Sequence, residues 1–144
     1  MYNYFRMMFW IDTGASKGIY SAYLNGDNVK LLVSDHLDSP DGLAIDYFMD
    51  NRLYWTDHKT NIIKSIKFDG SDRATVMQHV GLDRPYRIDI FENHVYWLSK
   101  DVGSVNKVDK FGRGVMHTLV EKLDLADDVK VFHSLKIPTN GKEL

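Results

Sequence analysis

The sequence predicts an all-β fold made of repeated four-stranded antiparallel meanders, and three observations lead there. Residues 37–79 hold four short extended segments separated by turn chemistry. No window of the chain sustains the i, i+3, i+4 apolar spacing of a helix. Independent markers also recur in step: Trp10, Trp55 and Trp97 stand 45 and 42 residues apart, while Gly26, Gly70 and Gly112 stand 44 and 42 apart. One period of that length carrying four strands is the signature of β-propeller blades.

In chain order, residues 1–6 read as a lead, followed by strands at about 7–12, 19–24 and 29–34. These are the last three strands of a blade spanning about 7–36. The next unit, about 37–81, is complete. Leu43-Ala44-Ile45-Asp46 is a short apolar run, and Arg52-Leu53-Tyr54-Trp55-Thr56 is rich in aromatic and β-branched residues. Ile62 to Phe68 alternates apolar residues with Lys or Ser, and Asp69-Gly70-Ser71-Asp72 turns the chain into Arg73 to Met77. Leu37-Asp38-Ser39-Pro40 opens this unit and returns as Leu82-Asp83-Arg84-Pro85 to open another, about 82–122. A fainter return, Leu123-Asp124-Leu125-Ala126, opens a closing segment (123–138) with one strand expected near Asp128 to His133; residues 139–144 form a tail. Gly26, Gly70 and Gly112 sit between the third and fourth strands, where a tight turn demands positive φ.

Alternation sends Tyr54 and Thr56 to one sheet face and Trp55 and Asp57 to the other. In a propeller both faces meet a neighbouring blade, so both rows can be buried. Asp57, at the strand end, is expected to accept hydrogen bonds from backbone or hydroxyl donors.

Tyr54-Trp55-Thr56-Asp57, with Pro40 to Asp46 before it and Phe68-Asp69-Gly70-Ser71 after it, resembles the YWTD repeat, also called the low-density-lipoprotein-receptor class B repeat. Phe9-Trp10-Ile11-Asp12 and Tyr96-Trp97-Leu98-Ser99 are degenerate copies, with Ser99 where the family has Asp. The likeness covers roughly residues 7–138 and is nearest to the lipoprotein-receptor-related/megalin group. It implies a partial YWTD-type β-propeller, about half of a six-bladed ring. It further implies a parent in which epidermal-growth-factor-like modules flank the ring, placed outside the cell in a single-pass membrane receptor. The expected role is non-catalytic: binding and release of protein or peptide ligands, apolipoprotein-like or other extracellular ones, during endocytosis. A structural or adhesive matrix module of nidogen type is the alternative, with a calcium-dependent propeller hydrolase third.

Composition narrows the field. Formal net charge is −2 without basic or acidic blocks, which gives no argument for nucleic acid. Zero cysteines exclude a disulfide framework or a cysteine zinc site. The longest apolar run, Met7 to Ile11, is too short for a membrane span or a signal-peptide core. Against an extracellular parent, this points to a truncated transcript or a partial gene product. There is no Gly-x-Ser-x-Gly elbow, phosphate loop or His-Glu-x-x-His helix, so neither an enzyme nor a cofactor is expected. Asp35, His36, Asp38 and Asp41 form the densest polar cluster, but one loop does not supply the converging ligands of a calcium site.

In an up-and-down meander the loops from strand two to three and from strand four to the next blade share one end. Sequence order therefore gathers Ser39, Asp41, His58, Lys59, Arg84, Tyr86, Lys100 and Asp101 on that end as a candidate ligand-binding face. The resemblance implies the same for Ser39, Asp41, Lys59 and Tyr86. His36, His58 and His79 fall on loops of this face and are candidate pH sensors, because histidine changes charge between neutral and endosomal pH. Trp10, Asp12, Tyr54, Trp55, Thr56, Asp57, Tyr96 and Trp97 are assigned to structure, and no metal ligands are assigned. The unpaired blade edges suggest that two copies pair head to tail.

Overall fold

The computed structural model describes residues 6–46, 48 and 51–136. Among them eleven strands form three antiparallel sheets, each a simple meander. Blade one holds β1 (Met7–Asp12), β2 (Gly18–Tyr23) and β3 (Lys30–Val33). Blade two holds β4 (Pro40–Asp46), β5 (Arg52–Asp57), β6 (Ile62–Lys67) and β7 (Ala74–Gln78). Blade three holds β8 (Pro85–Phe91), β9 (His94–Ser99), β10 (Ser104–Asp109) and β11 (His117–Val120). Each of the three turn glycines takes the expected positive φ: 88° at Gly26, 87° at Gly70 and 73° at Gly112.

The inner strands β4 and β8 run against each other, and Gly42 is the reason they come so close. A Cβ there would lie 2.9 Å from the Ile88 side chain and 2.9 Å from the Tyr86 carbonyl. Every residue of β5 is buried, as expected of a strand covered on both faces. Leu53 and Trp55 pack toward blade one with Ile19, Val33, Ile66 and Phe68. Tyr54 packs toward blade three with Ile63, Ile88, Val95 and Trp97.

The outer faces differ. Trp55 and Trp97 are fully buried, but Trp10 is half-buried and stacks on Tyr20 at 5.6 Å. Tyr96 is likewise half-buried where its counterpart Tyr54 is covered. Both rows are buried in the complete repeat, whereas Trp10 and Tyr96 of the two degenerate copies face away from the blades that are present.

The strand expected near Asp128 to His133 is also corrected, since residues 121–136 form none. The segment nevertheless runs along β8, the place of a next inner strand. The Val131 amide donates to the Asp89 carboxylate at 2.6 Å, and the His133 ring lies 4.6 Å from that of Phe91. A first blade strand needs a second one to complete its ladder, and among the described residues none follows it. Lys136 adds an ion pair to Asp89. The tail 139–144 and residues 1–5 of the lead lie outside the described residues.

Two joints between blades occupy equivalent positions with different chemistry. Phe68, just past β6, is buried against Phe9 of blade one at 4.7 Å. Lys110, 42 residues later and just past β10, reaches across to Asp46 of blade two at 2.7 Å. Both of these side chains are only 1% exposed. The other Asp46 oxygen accepts the Phe48 amide at 3.0 Å. The ammonium also lies 5.4 Å from the Phe111 ring centre.

Candidate ligand-binding face

The end of the blades carrying the turns after β5 and β9 is built by one recurring clamp. In blade two the His58 amide donates to the Ser39 carbonyl at 3.2 Å; in blade three the Lys100 amide donates to that of Arg84 at 3.3 Å. At the next step outward, His79 N–H donates to the Asn61 carbonyl and Leu123 N–H to that of Gly103. Asn61 (φ 50°) and Gly103 (φ 67°) both take the left-handed conformation this turn requires.

Side chains reinforce the clamp differently in each blade. Asp57, fully buried, accepts from the amides of Asp38 (2.7 Å) and Ser39 (3.0 Å) in the incoming connector. It also accepts from Lys59 and Thr60 in its own turn, both at 3.3 Å. Thr56 adds an acceptor for the Gly42 amide at 2.9 Å. Among the described residues Asp12 makes only the turn contact, to Gly14 at 2.7 Å. Ser99 reverses the polarity: its hydroxyl donates to the Leu82 carbonyl at 2.7 Å. The carboxylate has moved to the connector, where Asp83 accepts the Val102 amide at 2.7 Å. Asp83 and Arg84 are both left-handed, with φ of 51° and 55°.

Shallow grooves lie beside these clamps. One of them, about 550 Å³, brings together His58, Lys59, Arg84 and Asp101 of the predicted face with Asn61, Val80 and Asp83. Such a volume lies within the usual 300–1,000 Å³ of ligand clefts. Val80, on a single 3-10 turn (Val80–Leu82), is 81% exposed at its edge. A second groove, about 480 Å³, joins Tyr86 and Lys100 to residues 123–127. Ser39 and Asp41 stand at the axial start of β4 and line neither. The predicted face is thus divided, and Tyr86 is not displayed on it. Residues 123–127 of the closing segment fold over its ring, leaving it 4% exposed, and its hydroxyl donates to the Ala126 carbonyl. Burial, with Asp127 nearby, pushes the phenol pKa up, which keeps it a donor. Lys100 stays exposed, its ammonium 5.1 Å from the Tyr86 ring centre.

The acidic cluster is neutralised piece by piece. Asp35 pairs with Arg73 at 2.6 Å, Asp38 with Lys59 at 3.2 Å, and Asp41 with Arg87. Among the described residues no group of three or more His, Asp or Glu side chains is placed to hold a metal ion. The three loop histidines do not meet. His36 lies 3.4 Å from Asp35, and His58 Nδ1 lies 3.7 Å from Asp41, beyond hydrogen-bond reach. His79 Nδ1 accepts the Gly81 amide at 2.8 Å and caps the 3-10 turn. Sequence reasoning missed Asp83 and Arg87. The Ser-for-Asp exchange at the end of β9, Ser99, was the available signal for Asp83. Arg87 finds Asp41 across 46 residues, and nothing local announces it.

Comparison with known proteins places this architecture. The family model described as low-density lipoprotein receptor repeat class B matches residues 6–47 and 51–86. The vitellogenin receptor Yl of Drosophila melanogaster is 33% identical over 134 residues, 93% of this chain and 7% of that protein. Human low-density lipoprotein receptor-related protein 5 is 34% identical over 122 residues, 84% of this chain and 7% of its own length. The chain therefore spans a small fraction of these receptors. Among solved structures, a chain of the nidogen/laminin complex superposes with a TM-score of 0.71 at 24% identity, over 81% of this chain and 44% of that one. At that identity the likeness speaks for the fold.

Proposed function

The chain belongs to the low-density lipoprotein receptor repeat class B family and is a segment of a receptor propeller, and on that premise we propose that it is non-catalytic and binds protein ligands for an endocytic receptor. The ligand meets the groove between blades two and three, on the extracellular side of the parent. The observation that carries this reading is the gathering of His58, Lys59, Arg84 and Asp101 around one groove edged by exposed Val80. An apolar tip ringed by charges is the composition of a recognition patch. Lys59 and Arg84 are held in place by Asp38 and Asp101 at 3.2 and 2.9 Å, so their orientation is set before a partner arrives. Protonation of His58 adds a positive charge beside these two cations and draws on Asp41, which Arg87 already holds. Release of the ligand in a mildly acidic compartment follows from that arrangement.

The test is ligand uptake by cells expressing the full-length parent with Val80→Asp and Arg84→Glu together. Uptake should fall at least about tenfold while surface expression holds. Unchanged uptake would remove this groove from ligand binding. In the same assay His58→Gln should abolish the difference between neutral and mildly acidic pH; a retained pH response would place the switch elsewhere.

A further inference from the structure

A third groove lies outward of the face described above, on the side of blade two that looks toward blade one. The connector between the two blades crosses there, and about 430 Å³ separates its residues His36 to Asp38 from Lys64, Thr75 and Gln78 of β6 and β7. Lys64 is the residue that distinguishes this groove. In the sheet register it stands between Trp55 and Thr75. Its equivalent in blade three, 42 residues on, is Asn106. That amide is 2% exposed and fully engaged: it donates to the Ser99 and Ser104 hydroxyls at 3.0 Å and accepts from Thr118 at 2.8 Å.

Lys64 has no such company. Among the described residues its ammonium makes no hydrogen bond and no ion pair, although the side chain is half-buried. The carboxylates around it are committed elsewhere. Asp35 is bound by Arg73 through both its carboxylate and its carbonyl, Asp38 by Lys59, and Asp57 by four backbone amides. Lys17 takes the Asp38 carbonyl at 2.7 Å. Burial, followed by the neighbouring Arg73 charge, lowers the Lys64 pKa, so an anion arriving from outside would relieve an existing strain on the charged form.

We propose that this groove binds an acidic peptide segment, with one Asp or Glu carboxylate pairing with Lys64. Ile62 and Leu37 offer apolar contact beside it, and Thr75 and Gln78 offer hydrogen bonds to peptide backbone. A sulphated glycan fits less well, because dense polyanions need a track of free cations and here the neighbouring ones are already neutralised. The two grooves share no lining residue, although Asp38 of this one pairs with Lys59 of the other, and the Lys64 variants read this site separately from the ligand reading given there.

The experiment is fluorescence anisotropy on the full 144-residue chain, with a labelled Glu-containing peptide and its Gln-substituted twin at low salt. The Glu peptide should bind about tenfold more tightly. Lys64→Gln should erase that preference, and Lys107→Gln on β10 should leave it. If Lys64→Gln lowers the folded fraction, Lys64→Met keeps the aliphatic stem and serves instead. In the unmodified chain, the Lys64 side-chain resonance should titrate at higher pH once the Glu peptide is bound. Equal affinity for the twins, a preference that survives loss of Lys64, or Lys64-dependent binding of a heparin oligosaccharide more tightly than of the peptide would each overturn the proposal.

Discussion

At the end of β5 a buried carboxylate, Asp57, gathers four backbone amides from the connector and its own turn. At the end of β9 a hydroxyl, Ser99, gives its proton to the connector, and the carboxylate sits on Asp83 across the gap. The joints behind these corners differ in the same spirit: Phe68 on Phe9 for blades one and two, Lys110 on Asp46 for blades two and three. The backbone clamps are equivalent in both. Geometry is therefore held by the repeat, while the side chains that stabilise it have been redistributed, and each redistribution brought its partner with it. Two left-handed residues in succession, Asp83 and Arg84, accompany the blade-three solution, a conformation costing about 1–2 kcal/mol per non-glycine residue.

The largest expected break in the comparison is at the charged joint. Lys110→Ala leaves Asp46 buried without its counter-charge and should cost about 3–5 kcal/mol in chemical denaturation. Lys110→Met together with Asp46→Leu turns the joint into an apolar one like that of Phe68, and should recover the loss or exceed wild type by about 1–4 kcal/mol. A double variant as unstable as the single one would show that the pair does more than fill space.

The corners come next. Asp57→Ser copies blade three into blade two without supplying an Asp83 in the connector, so the Asp38 and Ser39 amides lose their acceptor. The expected cost is about 1–3 kcal/mol, against about 0.5–1.5 for Ser99→Ala, which removes one hydroxyl bond. Equal costs at the two corners would mean that the carboxylate has no special part in blade two.

The smallest effect compares the two outer turns. Asp69 is held below the ordinary carboxylate value of 3.8 by the Ser71 hydroxyl and amide. Asp109, although burial pushes the other way, is held below it by the amides of Phe111 and Arg113. A depressed folded value contributes stability above the unfolded one, and that contribution is lost as pH falls through the folded value. Thermal midpoints should therefore stay level down to about pH 4 and drop below it. Asp69→Asn and Asp109→Asn should each flatten that drop slightly, because both turns are solvent-exposed.

Much of the fold was legible because propeller blades write themselves locally. Alternation located the strands, the glycine spacing located the turns, and the end-of-strand position identified Asp57 as an acceptor. What depended on another part of the chain was not legible. Tyr86 is read as exposed until residues 123–127 are seen to fold over it, and Asp128 to His133 has strand composition but no second strand to complete its ladder among the described residues. The Lys110–Asp46 pair spans 64 residues. One clue was present in that case, since a lysine stands 42 residues after a phenylalanine at the same repeat position. A charge where the preceding copy has an aromatic ring is a reason to look for a counter-ion in the adjoining blade.

The two joints carry a consequence for how such a chain can change over evolutionary time. Tandem repeats invite duplication, deletion and exchange by recombination, and backbones this similar would tolerate it. The seams would not. Deleting blade two would bring an ammonium face to face with Phe9, and duplicating it would set a benzyl ring opposite Asp46. Unlike seams thus act as keyed fittings: they make the serial order of the repeats a heritable property that shuffling cannot alter without mending both sides at once.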